Sequence, residues 1–247
     1  MMNRYQILIE YDGSNFLGWQ IQKKGNSIQK KIQDTLSKLL KERIIVQGAG
    51  RTDRGVHAIE QSAHFDTKKK ISNKSNLIKS LNFFLNKKSI SIKGLKKKTL
   101  NFHARYSARK RIYIYLIRNH ISPSVINTNR EWHIIKNLDL KILKKGASKY
   151  IGTHDFSTYR ASNCNSKSAV RTISKVSVSK NKNLIIITFE SKSFIKSQVR
   201  SMVGCLKYLG EKKWTIKKFV EVFKSKKRIN CAPLAPPHAL YLKKIIY

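Results

Sequence analysis

Two hydrophobic periodicities alternate along the chain, and their order limits the folds that it can adopt. Residues 5–11 alternate apolar with polar side chains, which predicts a strand, whereas the apolar residues from Ile28 to Leu40 have helical spacing after a capping Ser27. The same reasoning predicts strands at 43–47, 59–66 and 89–93 and a helix at 75–86. The first hundred residues therefore have the order β-α-β-β-α-β.

The second half repeats this order. Strands are predicted at 111–118, 170–179, 184–190 and 239–247, and helices at 138–150, 194–209 and 216–226. Two such halves predict two α+β lobes that share a sheet or pack side by side. Since no Gly/Ser-rich or Pro-rich linker separates the halves, we expect them to be fused rather than hinged.

The charge of the chain is strongly unbalanced. The 52 Lys and Arg residues against 13 Asp and Glu give a formal net charge of +39. A surface of that sign attracts polyanions such as nucleic acid or an anionic membrane. The excess of Lys, Ile and Asn is also what the codons of an AT-rich genome produce, so the charge alone identifies no partner.

The cysteine and histidine patterns favour no disulfide and no metal. Cys164, Cys205 and Cys231 are too few and too widely spaced for a disulfide framework or a zinc ribbon, and the seven His form no HExxH motif. The longest apolar runs are a few residues long, and the first residues begin a strand pattern rather than a signal peptide. We therefore expect a reduced, cytoplasmic protein that binds neither metal nor membrane.

The most informative segment is the glycine-rich stretch at residues 48–58, between two predicted strands. Its glycines indicate a tight turn or a close approach by another molecule, and it matches neither the Walker pattern nor GxGxxG. One carboxylate, Asp53, lies between Arg51 and Arg54, and nearby positive charge favours its ionised form. Asp53 is thus either a nucleophile or a turn residue that caps its own loop.

Several motifs resemble those of one enzyme family. Residues 50–58, GRTDRGVHA, closely resemble the GRTDxGVHA signature of the tRNA pseudouridine synthase A family. Five further segments agree with that family in order and spacing: EYDGS with GWQ at 10–20, FHARYS at 102–107 before the strand with Tyr113, GTHDF at 152–156, QVRSMVG at 198–204 and APPHALYL at 235–242. The last segment has Ala239 where the family usually has Gly, which bears on a turn and not on the activity.

The resemblance implies an activity, a fold and a partner. It implies isomerisation of uridine to pseudouridine at positions 38, 39 and 40 of the tRNA anticodon stem-loop, without a cofactor, by a homodimer. We expect an α+β fold of two RRM-like (ferredoxin-like) lobes whose mixed, mainly antiparallel sheets join into one extended sheet, with the helices on one side. Residues 1–105 would form the lobe with the Asp loop, and residues 106–247 the lobe with the active-site Tyr and Arg.

The resemblance also implies roles for individual residues. Asp53 would be the nucleophile or proton acceptor, Arg200 would pair with it, and Tyr113 would stack on the flipped uracil and help to move the C5 proton. Arg51 would fill the gap left by the flipped nucleotide or contact phosphate. The remaining expected substrate-binding residues are Thr52, His57 and Arg105.

Two other functions fit parts of the sequence. A non-catalytic RNA-binding protein with RRM-like lobes would have the same order of elements and the same charge, and it would not need Asp53. A nuclease or glycosidase needs paired carboxylates, and Asp53 has no carboxylate neighbour in the sequence. An isomerase differs from both because it changes the RNA while leaving its length and mass unchanged.

Overall fold

A computed structural model describes residues 1–23 and 25–247. They divide into two compact units, unit 1 with residues 1–109 and 241–247, and unit 2 with residues 110–240. The sequence-based boundary between residues 105 and 106 stays a prediction. The last strand packs in unit 1, although it lies at the far end of the chain.

Unit 1 consists of a mixed sheet and two helices. Its elements are β1 (Asn3–Tyr11), α1 (Ile28–Leu40), β2 (Val46–Gly48), β3 (His57–Thr67), α2 (Lys74–Leu85), β4 (Ile90–Lys98) and, apart from its first residue, β10 (Leu240–Ile246). The strand order is β4-β1-β3-β10, with β2 also paired to β3. The pairs β1–β3, β1–β4 and β2–β3 are antiparallel, whereas β3 and β10 are parallel.

The hydrophobic pattern explains why these segments form these elements. Alternate residues of β1, including Ile7 and Ile9, are fully buried, and α1 buries one residue per turn from Ile28 to Leu40. The helix begins where the sequence predicts, but the hydroxyl of Ser27 accepts no capping hydrogen bond. The side chain of Ser27 is buried.

Unit 2 consists of a second sheet and three helices. Its elements are β5 (Lys110–Asn119), β6 (Trp132–Ile134), α3 (Leu140–Ser148), β7 (Gly152–Asp155), β8 (Val170–Asn181), β9 (Leu184–Ser191), α4 (Gln198–Gly210) and α5 (Ile216–Lys224). The strand order is β5-β9-β8-β7, all antiparallel, and β6 adds to β5 in parallel. The prediction of an α+β fold with mixed, mainly antiparallel sheets is therefore confirmed.

Two local predictions differ from the structure, and two short strands are additional. The strand expected at 43–47 begins only at Val46 and ends at Gly48, and the helix expected from residue 194 begins only at Gln198. Ser197 has a left-handed backbone, with φ of 61°, which prevents the helix from extending further towards the N-terminus. The short strands β6 and β7 were not predicted. In residues 1–23 and 25–247, no helix combines the length and the hydropathy that crossing a membrane requires.

Candidate active site

The Asp53 loop, residues 49–56, connects β2 to β3 and is fastened to β3 at its start. The Ala49 N–H donates to the Ser62 carbonyl over 2.8 Å, and the Gln61 side-chain amide donates to the Gly50 carbonyl over 2.8 Å. At the other end, the Val56 N–H donates to the Asp53 carbonyl over 3.2 Å, and Gly55 has φ of 76°. A turn of this kind needs positive φ at its third residue, so glycine at position 55 closes the backbone around Asp53.

The end of β1 and the segment from Gly13 to Gln20 also contact the Asp53 loop. The Trp19 N–H donates to the Thr52 carbonyl over 3.1 Å, and the Thr52 hydroxyl lies 2.8 Å from the Tyr11 hydroxyl. Gly18 has φ of 107°, and a Cβ built on it would lie 2.5 Å from the Thr52 carbonyl oxygen. The backbones are thus in direct contact, which gives the loop little freedom to move.

His57 is buried at the end of the Asp53 loop. Its Nδ1 atom lies 3.0 Å from the Gly13 N–H nitrogen and 3.0 Å from a carboxylate oxygen of Asp12, and its ring stacks on Tyr241 at 4.8 Å. The neutral nitrogen accepts from Gly13, whereas a protonated Nδ1 donates to Asp12. These contacts stabilise the path of the loop, and the substrate-binding role of His57 stays a prediction.

Asp53 is the single carboxylate of its loop. It is half-buried, whereas Thr52 before it and Val56 after it are buried. The flanking arginines are exposed, and the Nε of Arg51 donates to the Gln20 side chain over 2.9 Å. A half-buried carboxylate on an anchored backbone has the placement that a nucleophile needs.

Arg105 also belongs to unit 1. Its side chain is exposed, and its guanidinium lies 5.5 Å from the ring centre of Tyr106. The His103 ring accepts from the Arg105 N–H over 3.1 Å and contacts Gln47 of β2 over 2.8 Å. The FHARYS segment is thereby connected to the strand that leads into the Asp53 loop.

Tyr113 lies on the buried face of β5 in unit 2. Its side chain is 8% exposed, and its ring meets the Phe194 ring edge-on, with the ring centres 5.3 Å apart. Two residues further along the same face, the Tyr115 hydroxyl donates to the Pro236 carbonyl over 2.8 Å. Burial raises the pKa of Tyr115 well above its usual value, so this hydroxyl stays protonated.

Arg200 is in the first turn of α4 and is held by the segment after α5. Its Nε donates to the Ala235 carbonyl over 2.8 Å, while the Ala235 N–H donates to the Arg200 carbonyl over 3.3 Å. Burial, helped by the charge of Arg200, lowers the pKa of His238 below its usual value. Arg200 is half-buried, and Lys196 lies before the first residue of α4.

The structure therefore brings some of the predicted site residues together. Arg51, Thr52, Asp53 and His57 share one anchored loop in unit 1, whereas Tyr113 and Arg200 are in unit 2. Sequence reasoning assigned no role to Tyr11 or His238, whose positions within two of the quoted motifs were the one available signal. Among residues 1–23 and 25–247, no group of three or more His, Cys, Asp and Glu side chains is placed to hold a metal ion.

Comparisons with known proteins identify the family. A family model described as tRNA pseudouridine synthase matches residues 7–107 and 147–247. A relative from Pelagibacter ubique (strain HTCC1062) is 58% identical over 246 residues, and one from Rhodopseudomonas palustris (strain BisA53) is 39% identical over 246 residues. Each alignment covers 100% of both chains, and both relatives carry the name tRNA pseudouridine synthase A.

With the α+β fold, these matches define an enzyme of the isomerase class that acts on uridine in tRNA. The chain belongs to the tRNA pseudouridine synthase family. The resemblance that the sequence motifs indicated is thereby confirmed, as is the prediction of an isomerase rather than a hydrolase.

Proposed function

We propose that this chain converts uridine to pseudouridine at positions 38, 39 and 40 of the tRNA anticodon stem-loop, with Asp53 as the nucleophile and without a cofactor. The observation that carries the proposal is the placement of Asp53. It is the single carboxylate of a loop that β3 holds on one side and the Gly13–Gln20 segment holds on the other. Such a backbone positions a reacting group with little loss of freedom during the reaction.

The reaction rearranges bonds within one nucleotide. The bond from C1′ to N1 of uracil breaks, the base turns, and a bond from C1′ to C5 forms. The C5 proton is then lost, and N1 gains a proton. Because no electrons or groups enter or leave, acid–base and nucleophilic side chains suffice. Asp53 begins the reaction by attacking C1′, by attacking C6 or by removing a sugar proton.

Tyr113 and Arg200 complete the proposed chemistry. The ring of Tyr113 stacks on the flipped uracil, and its hydroxyl assists the transfer of the C5 proton. The proposed role of the Arg200 guanidinium, whose Nε donates to the Ala235 carbonyl, is to pair with the Asp53 carboxylate and orient it. The remaining proposed substrate-binding residues, which contact the bound nucleotide and the nucleotides beside it, are Arg51, Thr52, His57 and Arg105.

The basic surface supplies affinity for the tRNA backbone. Flipping a stacked uridine costs a few kcal/mol, which phosphate contacts must offset. Lys68, Lys69 and Lys70 are exposed, and the basic segment 105–111 begins within the FHARYS motif. Part of a third basic segment, 23–26, lies outside the described residues, since Lys24 is not among them. We also propose that the chain acts as a homodimer in the cytoplasm. Sedimentation with and without tRNA would test the oligomeric state.

Release of tritium from C5 tests the central proposal. The substrates are anticodon stem-loop tRNAs with C5-tritiated uridine at position 38, 39 or 40, incubated with wild type, Asp53→Asn or Asp34→Asn. Asp34 is the matched control because it is an exposed carboxylate of α1 that pairs with Lys30 over 3.7 Å. We expect release by wild type and Asp34→Asn, with intact RNA, and none by Asp53→Asn.

Each other outcome contradicts a defined part of the proposal. Release by Asp53→Asn at the wild-type rate would remove Asp53 from the chemistry. Tight, salt-sensitive binding without release by any variant would instead indicate the non-catalytic RNA-binding protein. No release from these three labelled positions, together with release from a tRNA that is C5-tritiated at every uridine, would show that the proposed positions are wrong.

A further inference from the structure

Two of the three cysteines meet inside unit 2, although 26 residues separate them in the chain. Cys205 lies in α4, and Cys231 follows the short turn Arg228–Asn230. Their sulfur atoms are 3.6 Å apart, and both are free thiols. A disulfide bond is about 2.05 Å long, so a closure of about 1.5 Å would join them.

The surroundings keep the two thiols beside each other. A Cβ built on Gly204, next to Cys205, would lie 2.1 Å from the Pro233 carbonyl oxygen, so the backbone after Cys231 runs directly against α4. The Arg228 guanidinium donates to the Ser201 hydroxyl of α4 over 2.7 Å. These contacts lie on both sides of Cys231, which limits the distance that its sulfur can move away from Cys205.

The two thiols differ in exposure and acidity. Cys205 is fully buried, whereas Cys231 is half-buried. The hydrogen bond between them lowers the pKa of Cys231, and the positive charge of Arg228 acts in the same direction against the opposing effect of burial. The same hydrogen bond and burial raise the pKa of Cys205. The more exposed residue, Cys231, is thus also the one that forms the reactive thiolate more readily.

We propose that Cys205 and Cys231 form a reversible redox site whose oxidant is a small peroxide. The Cys231 thiolate attacks one peroxide oxygen, the O–O bond breaks, and a sulfenic acid forms on Cys231 while hydroxide leaves and takes up a proton. The Cys205 sulfur then attacks the Cys231 sulfur, and the hydroxyl leaves as a second water with the Cys205 proton. Two thiols are oxidised to one disulfide, and one hydrogen peroxide is reduced to two waters.

Closure of this disulfide would also affect Arg200, and this part of the inference rests on the proposed function. Cys205 follows Arg200 on α4, and Cys231 precedes Ala235, whose carbonyl accepts from the Arg200 guanidinium. Drawing the segment towards the helix shifts that acceptor relative to Arg200. Because a displacement of about 1 Å can cost about a hundredfold in rate, we expect the oxidised chain to react about tenfold to a hundredfold more slowly.

The experiment follows thiols and activity in the same samples. The full chain is treated with hydrogen peroxide, free thiols are blocked with N-ethylmaleimide, and peptides are mapped by mass spectrometry. Wild type and the control Cys164→Ser should lose two hydrogens and yield one cross-linked peptide pair, Cys205 with Cys231, whereas Cys231→Ser should yield none. Full alkylation of both thiols in wild type after peroxide treatment would overturn the proposal.

Tritium release before oxidation, after it and after dithiothreitol tests the connection to Arg200. We expect a slower rate on oxidation and full recovery on reduction in wild type, and neither change in Cys231→Ser. A disulfide that forms without slowing the reaction would overturn the connection to Arg200. A reduced wild type that releases no tritium would contradict the proposed function, and the cross-linked peptide would still decide the redox site by itself.

Discussion

Replacing Gly18 by alanine should displace the Asp53 loop. Gly18 has φ of 107°, where an L side chain is strained by about 1–2 kcal/mol. The new Cβ would also lie 2.5 Å from the Thr52 carbonyl oxygen and 3.2 Å from the Asp53 carbonyl carbon. Relieving the first contact requires a shift of nearly 1 Å, applied to the residues on which Asp53 is mounted.

We expect Gly18→Ala to lower the free energy of unfolding by about 2 kcal/mol and the melting temperature by about 4–8 °C. The single-turnover rate of tritium release should fall by about tenfold to a hundredfold, since the nucleophile moves with the loop. The matched control is Gly94→Ala in β4 of the same unit. Its Cβ would make an ordinary contact, 3.5 Å from the Leu8 side chain, so it should retain both properties.

The melting temperature and the rate of tritium release test two separate parts of this prediction. A Gly18→Ala variant that melts early but reacts at the wild-type rate would refute the role of the Asp53 loop in the chemistry. A variant with unchanged melting temperature and unchanged rate would refute the argument from crowding and backbone strain.

Three further predictions concern stability and tRNA affinity. Burial, helped by the charge of Arg4, lowers the pKa of His64 from 6.5 to about 4. The neutral ring therefore stabilises the folded chain fully above pH 6.5, and this stability is lost as the pH falls towards 4. The loss is at most about 1.4 kcal/mol per pH unit. Urea unfolding at pH 7 and pH 5 should show a smaller loss for His64→Asn than for wild type, and equal losses would contradict this assignment. Thr215→Ala removes the hydroxyl that caps α5 through the Lys218 N–H at 3.2 Å, and it should reduce the free energy of unfolding by about 1 kcal/mol with tritium release unchanged. The logarithm of tRNA affinity should fall linearly with the logarithm of salt concentration, and replacing Lys68, Lys69 and Lys70 together by alanine should make that slope shallower, whereas equal slopes would remove these lysines from the phosphate contacts.

Long helices and strands could be predicted from the sequence, because burial of one face makes apolar residues recur at a regular spacing. The helix α1 begins and ends close to the limits of its apolar spacing, and β9 begins at the predicted residue. The strands β6 and β7 have three and four residues, too few to establish a period. They are strands because β5 and β8 offer them backbone partners, which is a property of the assembled sheet.

The start of α4 shows how a local contact overrides a pattern. The apolar residues Phe194 and Ile195 continue the periodicity, which led the predicted helix to begin four residues too early. In the structure the Ile195 N–H donates to the Gln198 side chain, and Ser197 has a left-handed backbone. The pattern of apolar residues carries no information about that turn.

Short sequence motifs were enough to indicate the family, the class of reaction and the loop that contains Asp53, because each motif consists of residues that are neighbours in the chain. Tertiary structure alone decided that Tyr11 and Trp19 hold Thr52, that Ala235 holds Arg200, and that Cys205 meets Cys231. The cysteine spacing had indicated no pairing at all. Contacts of this kind depend on how helices and strands pack across the fold, and spacing along the chain does not encode that packing in any local pattern.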